Sequence, residues 1–95
     1  MNIEIKNRAG VIILAGDYES VKQACEQNKL NLAGAYLENA NLQYAYLEDA
    51  ELKNANLRGA ELKNANLQYA YLEDAYLENA NLQYAYLEDA YLENA

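Results

Sequence analysis

The 95 residues carry seven Lys and Arg against fifteen Asp and Glu, a formal net charge of −8, and contain no His, Pro, Trp or Phe. A chain of this length builds one small core, has no apolar run near the roughly eighteen residues a membrane span needs and shows no signal-peptide pattern. Its acidic balance argues against nucleic acid and anionic membrane surfaces as partners, and the lone Cys25 has no internal disulfide partner, so a reducing cytoplasm is the expected compartment.

Residues 1–29 form the first unit. "NIEIKN" alternates Ile3 and Ile5 with polar neighbours, as a half-buried strand does; "NRAG" signals a turn and "VIILAG" a second strand, so residues 2–15 read as a β-hairpin. Asp17 is the expected N-cap of a helix over about 18–28, with Val21, Ala24 and Cys25 on one face. That makes Cys25 a small core residue in preference to a reactive thiol. Four acids balance four bases up to Lys29, so the whole −8 lies on residues 30–95.

From Leu32 to Leu92 every fifth residue is leucine, and alanine stands two before each from Ala35 to Ala90. On an α-helix a five-residue step rotates by about 140°, so no apolar face forms. On a continuous strand an odd step alternates faces. Ala-x-Leu is strand-like over three residues, and two further residues must then turn a corner. A coil of strands and corners with Ala and Leu inside satisfies both demands, and stacked coils bury the leucines as a column. Gly34, Asn39, Asp49, Asn54, Gly59 and their equivalents end most units and tolerate turn geometry. Tyr44, Tyr69 and Tyr84 occupy the same place, and these bulky residues are expected to avoid positive φ.

The units "ANLQY", "AYLED", "AELKN" and "ANLRG" resemble the pentapeptide-repeat family, with consensus A-(N/D)-L-x-x, over thirteen consecutive units covering about two thirds of the chain. The resemblance implies an all-β solenoid: a right-handed quadrilateral β-helix over 30–95 with a hairpin-plus-helix cap over 1–29. Periodicity alone leaves three, four or five sides open. Tyr at 36, 46, 71, 76, 86 and 91 and Glu at 51 and 61 depart from the small polar residue that the family usually places before leucine.

With four units per coil, the coils are 30–49, 50–69 and 70–89, and residues twenty apart stack about 4.8 Å apart. Glu38, Arg58 and Glu78 then share a column of alternating sign, Lys53 sits below Glu73, and Gln68 spaces Glu48 from Glu88. Such exposed pairs relieve like charge and contribute little each. Tyr71 and Tyr91 share another column. The rings are expected to fall wherever the repeated block falls, without favouring a face, and to contribute ordinary stacking; the rival reading is an aromatic recognition surface.

With no His, one Ser and one Cys, no nucleophile–base set assembles, no metal-site spacing is present, and no cofactor is expected. Two functions remain. The first is a non-catalytic structural scaffold. "NLQYAYLEDAYLENA" occurs verbatim at 66–80 and 81–95, which points to an engineered or consensus-built sequence, with recent tandem duplication as the rival origin. The second is a bacterial interaction module, or a DNA mimic of the topoisomerase-binding kind that the family resemblance implies. A rod of about 16 Å, equal to about five base pairs, is short for that role. The expected partner is a second copy of the chain, through the C-terminal end: Tyr76, Leu77, Leu82, Leu87, Tyr91 and Leu92 form the candidate self-association site, as open edges and an apolar end recruit another copy.

Overall fold

The structure, a computed structural model, describes all 95 residues. Strands β1 (Asn2–Lys6) and β2 (Ile12–Asp17) pair antiparallel, with a register shift between Ile5 and Lys6. Asn7 builds the turn between them. Its Oδ1 accepts from the N–H groups of Ala9 and Val11, and its carbonyl accepts from Gly10, which takes φ +82°. Ile5 is buried, and Ile3, Ile13 and Leu14 pack against the core.

Helix α1 (Val21–Gln27) follows, but Ser20 is its N-cap, with Oγ accepting from Gln23 N–H at 3.1 Å. Gln23 Oε1 in turn accepts from Glu19 N–H at 2.7 Å, which is close to a capping box. The expected cap, Asp17, remains in β2 and pairs with the terminal ammonium of Met1 at 2.5 Å. Ala24 and Cys25 are fully buried; burial first, and Glu26 second, push the Cys25 thiol up to about 12, so it stays neutral and unreactive. A 3₁₀ turn (Lys29–Asn31) leads into the repeats.

The repeat region is β-helix-like. Eight parallel bridges each join a residue to the one twenty positions later, from Tyr36–Asn56 to Tyr71–Tyr91. Each bridge stands alone, so the repeats form no extended strand, contrary to the strand-and-corner expectation. The five-residue period leaves only three extended residues between turns, and only the middle one pairs on both sides. Within each unit the leucine carbonyl accepts from the next alanine N–H, as in Ala60 to Leu57 at 3.0 Å, and this closes a turn. The leucine and corner N–H groups donate forward, Leu57 to Tyr76 and Gly59 to Glu78, and the N–H before leucine donates back, Asn56 to Ala35. Where that residue is Asn, its Oδ1 also accepts from the N–H two residues on, as in Arg58 to Asn56 at 3.1 Å. This is an Asx turn, and it gives the family's preferred polar residue a physical reason.

All thirteen corner residues, from Gly34 to Asn94, have positive φ. Tyr44, Tyr69 and Tyr84 take φ of 61–62° like the rest, which overturns the expectation that they avoid it. The positive value at the third residue of a bonded four-residue turn is the type II geometry. At Tyr44 and Tyr69 the corner N–H is also committed to the next coil, and all three corners are closed by their turn bond. The backbone therefore fixes the corner, and the side chain bears a strain of about 1–2 kcal/mol.

The interior is the ladder of Leu32 to Leu72 and the alanines Ala35, Ala45, Ala50 and onward to Ala75, each at most 3 % exposed. The N-terminal segment completes the first coil. Lys6 carbonyl accepts from Tyr36 N–H, Glu26 Oε2 from Tyr46 N–H and Lys29 carbonyl from Glu51 N–H, leaving only Asn41 among the four equivalent donors without a partner. That fourth side opens into a pocket of about 390 Å³ lined by residues of α1 and of 40–43.

Two substitutions test this packing. Leu62 is fully buried, and Leu62→Asp places a bare carboxylate in the column, so the variant is expected to be unfolded or insoluble. A soluble variant with a cooperative melt by circular dichroism would contradict the buried ladder. Tyr69→Asn relieves strain at the corner and is expected to stabilise by up to about 1 kcal/mol, raising the melting midpoint by about 4–8 °C for a chain of this size.

Candidate functional site

The open edge of the repeats lies at 75–95. Inner coils pass their leucine and corner N–H groups to the next coil, but those of Leu77, Asn79, Leu82, Tyr84, Leu87, Asp89, Leu92 and Asn94 have no partner in the chain. The leucine column loses cover in step: Leu72 is buried, Leu77, Leu82 and Leu87 are half-buried, and Leu92 is 42 % exposed. Four of the six residues of the sequence-derived candidate site thus line one edge, beside a pocket of about 450 Å³ formed by 75–78 and the last two residues.

The two tyrosines of that set are held differently. Tyr91 stacks on Tyr71 with ring centroids 4.8 Å apart and planes within 3°. Its outer surface is half exposed. Tyr76 is engaged within the molecule: the Arg8 guanidinium lies 4.4 Å from the ring centroid and that of Arg58 4.6 Å, while Arg8 Nη1 donates to the Tyr76 hydroxyl at 2.7 Å. Arg8 stands at the hairpin turn, so this contact ties the N-terminal segment to the third coil across 68 residues of sequence. The sequence holds no pattern for it, because it depends on the hairpin lying along one side of the repeats. The bridge between Asn7 and Ala35 sets that docking.

The charge columns are realised in part. Arg58 Nε donates to Glu78 at 3.2 Å, and Gln68 to Glu88 at 3.1 Å. Glu38 does not pair with Arg58; it accepts from Tyr36 and Asn56. Lys53 does not reach Glu73, because its ammonium lies over the Tyr71 ring, 5.6 Å from the centroid, and one Glu73 carboxylate oxygen is buried without a partner. Bonding to its own backbone N–H, with further help from Arg58, holds the Glu78 carboxyl below its ordinary 4.5. The Arg58 pair therefore contributes fully above that value and fades as pH falls through the lower, folded-state one.

The nine repeat tyrosines divide among all four sides, three on one and two on each of the others. Tyr46 and Tyr86 lie on the side formed by 45–49, 65–69 and 85–89, Tyr69 ends it, and Tyr44 and Tyr84 mark the corner that opens it; all five are more than half exposed.

The family model described as pentapeptide repeats matches residues 31–68 and again 60–95, eight copies of the unit at a time. The chain belongs to the pentapeptide-repeat family. Its structure shows what each place in the family's unit does: the alanine and leucine fill the interior, and the fifth residue turns the corner. No curated protein matches the sequence. No helix is long and apolar enough to cross a membrane, and no group of three or more Cys, Asp or Glu converges in a metal-binding arrangement.

The contact between Arg8 and Tyr76 is open to test. Exposed cation–π contacts contribute about 0.5–1 kcal/mol, so Arg8→Ala is expected to lower the melting midpoint by about 2–8 °C. The loss should vanish when the substitution is made in a Tyr76→Leu background, as read by a double-mutant thermal series.

Proposed function

We propose that this pentapeptide-repeat protein is a structural scaffold without catalytic activity: a right-handed quadrilateral β-helix, capped by residues 1–29, built by copying a fifteen-residue block in an engineered or consensus sequence, and paired with a second copy of itself through the edge at 75–95. The family assignment supports a structural repeat protein. The observation that carries the pairing is the row of eight unpartnered backbone donors beside the half-covered leucines Leu77, Leu82, Leu87 and Leu92. Backbone N–H groups and apolar side chains exposed together are what a second edge covers. The N-terminal edge already has acceptors from Lys6, Glu26 and Lys29, so a tail-to-tail two-fold contact closes without growing into a fibre. Tyr91 stands at the rim of this contact, and Tyr76, clasped by two arginines, contributes little to it.

The rival reading is a protein-interaction module that mimics duplex DNA towards a topoisomerase. The dimensions of the whole molecule, 32 × 25 × 22 Å, favour the scaffold, since the repeats span only a few base pairs. Inhibition of a type II topoisomerase in a supercoiling assay at micromolar protein would reverse that preference.

Sedimentation of the 95-residue chain tests the pairing. The interface is small, so a monomer at low micromolar concentration should convert to a dimer towards hundreds of micromolar, at roughly the weak end of specific association. Leu92→Lys should shift the protein towards monomer. A strict monomer throughout, unchanged by Leu92→Lys, would show that the bare edge is tolerated.

A further inference from the structure

Folding at a twenty-residue register sorts the charges of the repeats by side. Each of the three repeat cations falls on a different side: Lys53 with 50–54, Arg58 with 55–59 and Lys63 with 60–64. The fourth side, formed by 45–49, 65–69 and 85–89, has none. It carries Glu48, Asp49, Glu88 and Asp89 together with three of the nine repeat tyrosines, Tyr46, Tyr69 and Tyr86, and exposed Tyr44 and Tyr84 stand at the corner before it. The most acidic surface and the most aromatic one therefore coincide, and the sequence does not display this because the two sets interleave along the chain.

The molecule itself shows what such rings accept. Arg8 and Arg58 stack on Tyr76, and Lys53 lies over Tyr71. On the fourth side no cation lies over Tyr44, Tyr46, Tyr84 or Tyr86. Two bases of the N-terminal segment stand at its rim: Lys29, 4.0 Å from Glu48, and Lys22, whose ammonium donates to the Gln43 carbonyl beside Tyr44 at 3.2 Å. Lys29 faces the Oε1 of Glu48, an oxygen that has no hydrogen-bond donor, a feature shared with Glu51 and Glu73 on another side.

From this we infer that the side is a docking surface for an extended, arginine-rich segment of a partner protein. Tyr46 and Tyr86 lie two coils apart, about 10 Å along the stack, and so do Glu48 and Glu88. An extended chain in the polyproline II form rises about 9 Å in three residues and returns to the same face. Arginines three apart in a segment running along the stack thus reach both tyrosine–glutamate pairs at once, each guanidinium laid on a ring with its N–H groups turned to a carboxylate. Arginine suits this better than lysine, since its planar group stacks and bonds together. The inference goes beyond the scaffold reading; Tyr86 and Glu88 belong to the last coil, but it uses their outward side chains and not the leucines and backbone donors of the edge.

The probe is a fluorescein-labelled peptide with arginine at every third position, measured by anisotropy at 50 mM salt beside its lysine counterpart. Tyr46→Ser with Tyr86→Ser leaves the net charge unchanged and is expected to weaken binding roughly five- to thirtyfold, as the loss of two such contacts implies. Tyr36→Ser, on another side, should leave it unchanged. Glu48→Gln with Glu88→Gln should weaken binding severalfold more than Glu4→Gln with Glu93→Gln, which removes the same charge elsewhere. The proposal is overturned if the arginine peptide does not bind, if the two glutamate pairs have equal effects, or if the lysine peptide binds as tightly and ignores the tyrosine pair.

Discussion

The backbone ladder between successive circuits governs everything else in this molecule. A pentapeptide whose leucine and corner N–H groups donate forward, and whose middle N–H donates back, must repeat its shape in register twenty residues later. Once the backbone is committed in this way, side chains at three of five positions face outward and are nearly free to vary. The other two, alanine and leucine, fill the buried column. The same commitment forces every corner into positive φ, whichever residue stands there. Asn, Asp and Gly accept that at little cost, and three tyrosines accept it because the bonds around them leave no alternative.

Such a ladder has two exposed edges, and the chain treats them differently. At the first coil, groups from three separate elements meet the waiting donors: the carbonyl at the end of β1, a carboxylate on α1 and a carbonyl in the 3₁₀ turn. None of these belongs to a repeat, and each arrives by its own geometry. The hairpin adds a lateral tie, because its turn lies along the stack and Arg8 clasps Tyr76 there. Rings and guanidinium groups thus reinforce the stack from outside, where the leucine column holds it from within. At the far edge the leucine and corner donors from Leu77 to Asn94 have no partner within these 95 residues.

The interior was the most legible part of the sequence. Leucine at every fifth place and alanine two before it permit neither helix nor flat sheet, so the buried set follows from period alone, and the edge leucines follow with it. The hairpin and helix were readable from alternation and spacing, but the cap was not: Asp17 and Ser20 are equally good capping types, and the N-terminal ammonium decides between them by holding Asp17. The tyrosine corners run against residue preference because the turn bond at all three, and the inter-coil bond at Tyr44 and Tyr69, override it. The clasp on Tyr76 and the side without a repeat cation are hidden for a different reason. They depend on how the hairpin docks and on folding modulo twenty, and neither is a local property of the chain.

The copied block is fifteen residues long and the circuit is twenty. Two rulers with unequal divisions make a vernier. Each copy lands three sides further round than the one before it, so Tyr69 and Tyr84, identical in sequence context, look out over different corners. Identity along the chain becomes non-identity in space, and a stripe of like residues winds about the axis where a twenty-residue block would have ruled it straight. Block length is therefore a pitch control: with the same coil and the same interior, it alone decides whether a feature written once is displayed as a column, a spiral or a ring.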